Sequence, residues 1–217
     1  MTTLYSFKPS SSSWRVRAAL YHKKLWEETT VVEVSLLNKE NEEEEFKKIN
    51  PLKQVPCLII NENVLTQSLP IIEYLDAIHN SEESCLIPKD ALLAYEVREI
   101  AEIINSGIQP LHTGSVMKML PEEKRKEWMD FWVRKGLAAI ETILAANYPI
   151  EQPLEEYKYC VPQYQQLSLA DICLVPQVFV AKTRTGIDVE TEFPTISRVY
   201  SNLIKMDAFA KTHPQAQ

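Results

Sequence analysis

Residues 10–13 are four consecutive serines, and Trp14-Arg15-Val16-Arg17-Ala18-Ala19-Leu20 behind them read as the first turns of a helix. A serine at a helix start caps it, because its side-chain oxygen accepts a hydrogen bond from an unpaired N–H of the first turn. Ahead of the serines, Leu4-Tyr5-Ser6-Phe7 is a short aromatic and aliphatic run that ends at Pro9, a residue that cannot donate to a strand ladder. The order is strand, loop, helix start, with hydroxyls and free N–H groups gathered at one point. The positive end of the helix macrodipole favours an anion there. The same residues also suffice for a plain, well-capped helix, so the run alone leaves both readings open.

Other residue types exclude several chemistries. Cys57, Cys85, Cys160 and Cys173 form no CxxC pair and match no zinc-ligand spacing, so no metal is expected. Reduced thiols in a cytoplasmic protein are the expected state. With only four glycines in 217 residues, glycine-rich phosphate loops are excluded. The formal charge of −7 argues against nucleic acid or an anionic membrane surface as a partner. No run approaches the roughly 18 apolar residues of a membrane span, and the N-terminus lacks an apolar signal core. A hydrophobic fraction of 45% is enough to fill one large core or two small ones.

The elements that must position the serines follow in order. Strand Thr2 to Phe7 leads into a helix from about Ser11 to Lys24, and the β-branched run 29–34 is a second strand. Asn41 to Ile49 reads as an exposed helix, with Glu43 and Lys47, and Glu44 and Lys48, standing four apart. Residues 56–60 and 64–66 are two strands around the turn Asn61-Glu62-Asn63, and an amphipathic helix from Ser68 to His79 closes the unit. After Ser84 the strand signal ends. Pro88 opens a helical run with Leu93, Val97, Ile100, Ile104 and Ile108 on one stripe, and Val133, Leu137, Ile140 and Leu144 form another. Tyr148 to Gln166 reads as a loop. Ser168-Leu169-Ala170-Asp171 is a capping-box analogue before a buried helix, and a last helix starts near Pro194. The expected division is an α/β domain over residues 1–83 and an all-helical domain over 88–217.

Several motifs, taken together, resemble a known family. Asn50-Pro51-Leu52-Lys53-Gln54-Val55-Pro56, Gln67-Ser68 before a helix, and Ser168-Leu169-Ala170-Asp171 are similar to those of cytosolic glutathione transferases. More narrowly, 10–17 (Ser-Ser-Ser-Ser-Trp-Arg-Val-Arg), 106–111 (Ser-Gly-Ile-Gln-Pro-Leu) and 174–177 (Leu-Val-Pro-Gln) resemble the zeta class, the maleylacetoacetate isomerases. The likeness covers nearly the whole chain.

The resemblance implies a thioredoxin-like domain that binds glutathione, followed by a helical domain that shapes the second-substrate pocket. It implies a homodimer, and a cis to trans isomerisation by reversible addition of the glutathione thiolate to a double bond. Ser10 matches the catalytic serine, with Ser11 and Ser12 beside it, and Ser13 completes the anion-binding turn. Val55, with Gln54 and ahead of Pro56, is implied to present its backbone to the cysteinyl part, and Gln67 and Ser68 to hold the γ-glutamyl end. Gln109 and the segment carrying Thr113, Gly114 and Ser115 are implied to line the same cleft. A thiol near pKa 8.5 is only a few per cent ionised at neutral pH, and lowering it by about two units requires roughly 2.7 kcal/mol. A hydrogen bond to a charged acceptor supplies about 1.5–3 kcal/mol and a helix N-terminus about 0.3–1, so Ser10 suffices.

Two departures from the family stand at this site. Ser12 occupies the place of a cysteine, and Pro9 that of an arginine, with Lys8 one position further back. The remaining cations for a dianionic substrate are Lys8 and Arg184, the latter matching a family arginine with a one-residue displacement; it equally suits a surface position at a helix end. Two alternatives stay open: a broader transferase that conjugates small electrophilic acids, and a glutathione-transferase-like binding protein without activity. Of the other candidates, His112 reads as a pocket-lining or surface histidine, Cys57 as a core filler, and Cys160 as a loop thiol open to exposure. Arg15 and Arg17 read as structural ion-pair residues, and Trp14, Trp128 and Trp132 as core or interface aromatics.

Overall fold

The computed structural model describes residues 2–79, 81–148 and 153–216, which divide into two compact units, 1–85 with 207–217, and 86–206. In the first unit, strand β1 (Thr2–Ser6) leads through the serine turn into α1 (Ser11–His22), and β2 (Thr29–Glu33) returns parallel to β1. A 3-10 turn (Glu40–Glu42) and the short α2 (Glu44–Ile49) follow, then β3 (Cys57–Ile60), β4 (Asn63–Thr66) and α3 (Ser68–Ile78). The sheet order is β2-β1-β3-β4, with β3 antiparallel to both neighbours. The β3–β4 turn uses Asn61 and Glu62 at φ 49° and 67°, the left-handed pair that a tight two-residue hairpin requires.

Burial explains the arrangement. Leu4, Leu58 and Ile60 of the sheet are buried, as is α1 from Trp14 to Leu20, and α1 packs on α3, whose Ile71, Ile72 and Leu75 are buried. Val34, Phe46 and Val55 form a second small cluster with Tyr5, whose ring meets Phe46 edge-on at 5.9 Å. The expected single helix over 41–49 is instead broken at Glu43, whose extended backbone (φ −69°, ψ 148°) separates the two turns.

The second unit is helical. Its elements are α4 (Ala91–Gly107), α5 (Gly114–Met119), α6 (Glu122–Asn147), α7 (Leu169–Arg184), α8 (Val189–Glu192) and α9 (Pro194–Leu203). The first of these starts at Ala91 rather than Pro88, because the Asp90 carboxylate caps it by accepting the N–H groups of Leu92 and Leu93 at 3.0 and 2.9 Å. α7 is buried from Leu169 to Val178, with the expected capping box in place. Its Asp171 carboxylate, fully buried, accepts the N–H of Cys160 at 2.6 Å, the N–H of Ser168 at 2.8 Å and the Ser168 hydroxyl at 2.7 Å. Burial raises the Asp171 pKa, and those donors oppose the rise.

The segment expected as a loop over 148–166 lies outside the described residues at 149–152. Elsewhere it is tied down: Tyr148 donates to the Tyr159 carbonyl at 2.5 Å and stacks on Tyr157, and the Asn202 amide donates to the carbonyls of Leu154 and Tyr157. Cys160 is therefore completely buried, not exposed, because its backbone lies under Asp171. A final helix, α10 (Asp207–Ala210), packs against α1 of the first unit, although the sequence pattern placed residues 207–217 with the helical domain. Among the described residues no helix is long and apolar enough to cross a membrane.

Candidate active site

Sheet register brings three turns to one end of the first unit. Tyr5 pairs with Cys57, and Cys57 with Thr66, so the end of β1, the start of β3 and the end of β4 lie side by side. The serine turn, the Val55-Pro56 pair and the Gln67-Ser68 pair all leave the sheet there. Two helix N-termini, those of α1 and α3, start at this end, and both favour a negative group.

Ser10 is the N-cap of α1. Its Oγ accepts the Ser13 N–H at 3.2 Å and lies 3.2 Å from Ser12 Oγ. Both side chains are half-buried. The cap uses an oxygen lone pair and not the hydroxyl proton. Ser11 is buried. Ser13 is fully buried, and its Oγ accepts the Phe7 N–H at 3.3 Å, so its side chain serves the turn from beneath.

The Val55-Pro56 peptide bond is cis, and Val55 is buried. Asn50, 1% exposed, organises the turn before it by donating to the Gln54 carbonyl at 2.7 Å and accepting the Leu52 N–H at 3.0 Å. Gln67 has φ 69° and ψ 124°, a left-handed backbone in a residue other than glycine, and its side-chain amide donates to Gln54 Oε1 at 3.3 Å. Such a conformation costs on the order of 1–3 kcal/mol and persists where the surroundings impose it. Ser68 is buried, and its hydroxyl accepts from Arg15 Nη1 at 3.3 Å. Cys57, next to Pro56, is the thiol closest in sequence to these turns, but burial pushes its pKa up to about 11 and keeps it protonated.

The cations of this unit are held by more than carboxylates. Arg17, expected in an ion pair, donates to Ser6 Oγ at 2.9 Å and to the carbonyls of Lys8 and Thr212 at 2.9 and 3.2 Å. Burial lowers its pKa to about 10, with Glu33 acting the other way, so it is a cation at neutral pH. Lys8 is exposed; its ammonium donates to the Ala216 carbonyl at 2.5 Å, and its backbone N–H to the Glu33 carboxylate at 2.8 and 3.2 Å.

The remaining candidates belong to the second unit. Gln109 opens a 3-10 turn (Gln109–His112), and Thr113, whose hydroxyl donates to the Pro110 carbonyl at 3.0 Å, precedes α5. Gly114 and Ser115 are exposed at the start of α5. His112 is buried, with Nε2 3.3 Å from Gln177 Oε1 on α7. Arg184 is exposed in the last turn of α7. Gln177 stands in the Leu174-Val175-Pro176-Gln177 motif, but its partner is 65 residues away, which no local pattern reveals. No group of three or more acidic, histidine or cysteine side chains with metal-ligating placement occurs among the described residues.

Known proteins bear on this arrangement. The glutathione S-transferase N-terminal domain family matches residues 1–77. The chain is 38% identical to the maleylacetoacetate isomerase of Mus musculus, over 99% of this chain and 93% of that protein. It is 31% identical, at a TM-score of 0.88 and covering 99% and 98% of the two chains, to a bacterial maleylpyruvate isomerase described as a zeta-class glutathione transferase. The maleylacetoacetate isomerase of Anaeromyxobacter dehalogenans, 34% identical over 100% of this chain and 92% of that one at a TM-score of 0.83, was solved with dicarboxyethyl glutathione and citrate in its active site.

The left-handed backbone at Gln67 generates a test. Gln67→Gly is expected to raise the stability of the protein by about 1 kcal/mol, because relief of the strained φ outweighs the entropy that glycine adds to the unfolded chain. The same substitution is expected to weaken glutathione binding. Urea unfolding and calorimetry measure the two effects; unchanged affinity would remove Gln67 from the site.

Proposed function

The chain belongs to the zeta-class glutathione transferases, the family of the maleylacetoacetate isomerases, and on that premise we propose that it isomerises the cis double bond of a maleylacetoacetate-like dicarboxylate with glutathione as catalyst. The observation that carries this reading is the Ser10 hydroxyl, which caps α1 through an oxygen lone pair at the end of the sheet where α3 also begins. The residues there suit glutathione. The start of α3, with Ser68 and Gln67, suits the γ-glutamyl carboxylate; the Val55 backbone suits the cysteinyl peptide; Ser10 suits the sulfur.

Bound there, glutathione supplies a thiolate that adds reversibly to the double bond beside a carbonyl, which rotates while single and is double again when the sulfur leaves. Ser10 stabilises the sulfur as an anion by donating its proton, and the first turn of α1 adds its dipole. Ser11 and Ser12 line the turn. The burial-raised pKa of Cys57 keeps that thiol from competing as nucleophile. The Anaeromyxobacter relative holds dicarboxyethyl glutathione, and a thiol that adds across a butenedioate double bond gives a dicarboxyethyl thioether. Gln109, Thr113, Gly114 and Ser115 are proposed as second-unit contacts, and Lys8 and Arg184 as the cations for the substrate carboxylates. The reading places the protein in the cytoplasm, consistent with four buried thiols. It also places it in a homodimer, for which Leu92 and Tyr95 on α4 and Phe131 on α6, all more than half exposed, are candidate contacts.

Ser10→Ala is expected to cut turnover by about 10²-fold or more, the usual loss when an anion-stabilising donor is removed, with about 1 kcal/mol lost from the helix cap. Ser12→Ala, at the family's cysteine position, is expected to do much less. Steady-state kinetics of both variants decide, and the reverse order would reassign the hydroxyl.

Arg184→Ala is expected to raise KM for a dicarboxylate substrate while sparing glutathione affinity and a neutral electrophile, because a guanidinium binds a carboxylate bidentately. Lys8→Ala should act likewise but less, an exposed ammonium being readily replaced by water and salt. Equal losses on charged and neutral substrates would make Arg184 structural and favour the broader conjugating transferase.

Light scattering at micromolar concentration is expected to give the mass of a dimer; a monomer would contradict that part of the reading.

A further inference from the structure

Arg17 lies on α1 two turns beyond Ser10, is 4% exposed, and among the described residues its hydrogen bonds go to a hydroxyl and to carbonyls. Nη1 donates to Ser6 Oγ at 2.9 Å and reaches the Phe7 carbonyl at 3.5 Å; Nη2 donates to the Lys8 carbonyl at 2.9 Å; Nε donates to the Thr212 carbonyl at 3.2 Å. The turn ahead of Ser10 is thus gripped from several sides. The Lys8 carbonyl accepts from Arg17 and the Lys8 N–H donates to Glu33, while the Ser10 N–H donates to the Phe7 carbonyl at 2.9 Å.

The fourth acceptor belongs to the other end of the chain. Thr212 is 3% exposed, accepts Trp14 Nε1–H at 3.0 Å on its Oγ, and donates to the Ala208 carbonyl at 2.5 Å. The His213 ring meets Trp14 at 4.9 Å, and the Lys8 ammonium reaches the Ala216 carbonyl. The charged and titratable groups facing Arg17 are therefore Glu33 and His213, and burial together with Arg17 lowers the His213 pKa.

Burying a guanidinium against neutral acceptors costs several kcal/mol before its hydrogen bonds are counted, and a well-packed apolar side chain often serves stability as well. What arginine supplies instead is a rigid fork of donors that fixes several acceptors at once. We propose that Arg17 is a positioning residue for the Ser10 hydroxyl, locking the Phe7–Ser10 turn to the C-terminal segment 207–217 so that this segment sets the geometry of the thiolate site. The inference rests on the reading of Ser10 as the thiolate donor.

The test compares wild type, Arg17→Lys, Arg17→Met and Glu33→Gln in glutathione-dependent isomerisation of maleylacetoacetate across pH, with thermal melts of each. A displacement near 1 Å at a reacting group costs up to about 10²-fold in rate. Arg17→Met is expected to lose kcat by about 10²-fold, and Arg17→Lys, which keeps the charge but not the fork, by about tenfold. In both, KM for glutathione is expected to stay within about threefold and the acid limb of the kcat/KM profile to move up by about one pH unit. Glu33→Gln, an exposed change that loosens the same turn, is expected to lower kcat at least about threefold, and it decides together with Arg17→Lys if Arg17→Met does not fold. The proposal is overturned if kcat and the pH profile of Arg17→Lys and Glu33→Gln match wild type. It is overturned equally if activity falls only with the folded fraction. Absence of glutathione binding and isomerisation in wild type would overturn both this inference and the function it rests on.

Discussion

The hydrogen bond from the Ser13 N–H to Ser10 Oγ is the constraint on which the site depends. It is a helix cap, worth about 1 kcal/mol to α1, and it holds the Ser10 oxygen at the start of that helix. The proposed function gives the same oxygen a chemical task beside the structural one. The neighbouring serines divide the remaining work: Ser13 is buried to hold the turn, and Ser12 stands 3.2 Å from the capping oxygen. Replacement of the family's cysteine by Ser12 therefore changes the second group at the site while leaving the capping donor in place.

The sheet makes the cap useful. Because β3 runs antiparallel to both β1 and β4, the turns that follow β1, precede β3 and follow β4 emerge at one end. Each is held by a different device: Arg17 and Glu33 for the serine turn, Asn50 for the turn before cis-Pro56, and a left-handed backbone for Gln67. Local strain and buried polar groups collect at this end, as expected where binding geometry rather than stability decides the residues.

Much of this was legible in the sequence, for physical reasons that can be named. Periodicity disclosed α4, α6 and α7 because each buries one face or all of its surface. The Ser10 cap, the Ser168-Asp171 box and the tight β3–β4 turn are local chemistry and were readable as such. What stayed hidden is long-range. Trp14 and Thr212 are 198 residues apart, so nothing near residues 207–217 shows that they pack on the first unit. The neutral acceptors of Arg17 and the burial of Cys160 beneath Asp171 depend on tertiary placement in the same way. The family resemblance named the candidate residues, but only the register of the sheet explains why those of the first unit meet.

The account's central claim is that the Ser10 end of the sheet holds glutathione as its thiolate. Ultraviolet difference absorbance of the thiolate, followed across pH with saturating protein and stoichiometric glutathione, measures this directly. The account predicts an apparent pKa for bound glutathione about two units below the ordinary thiol value of about 8.5, as a hydrogen bond and a helix N-terminus together can supply. A bound thiol that titrates at the ordinary value would contradict it.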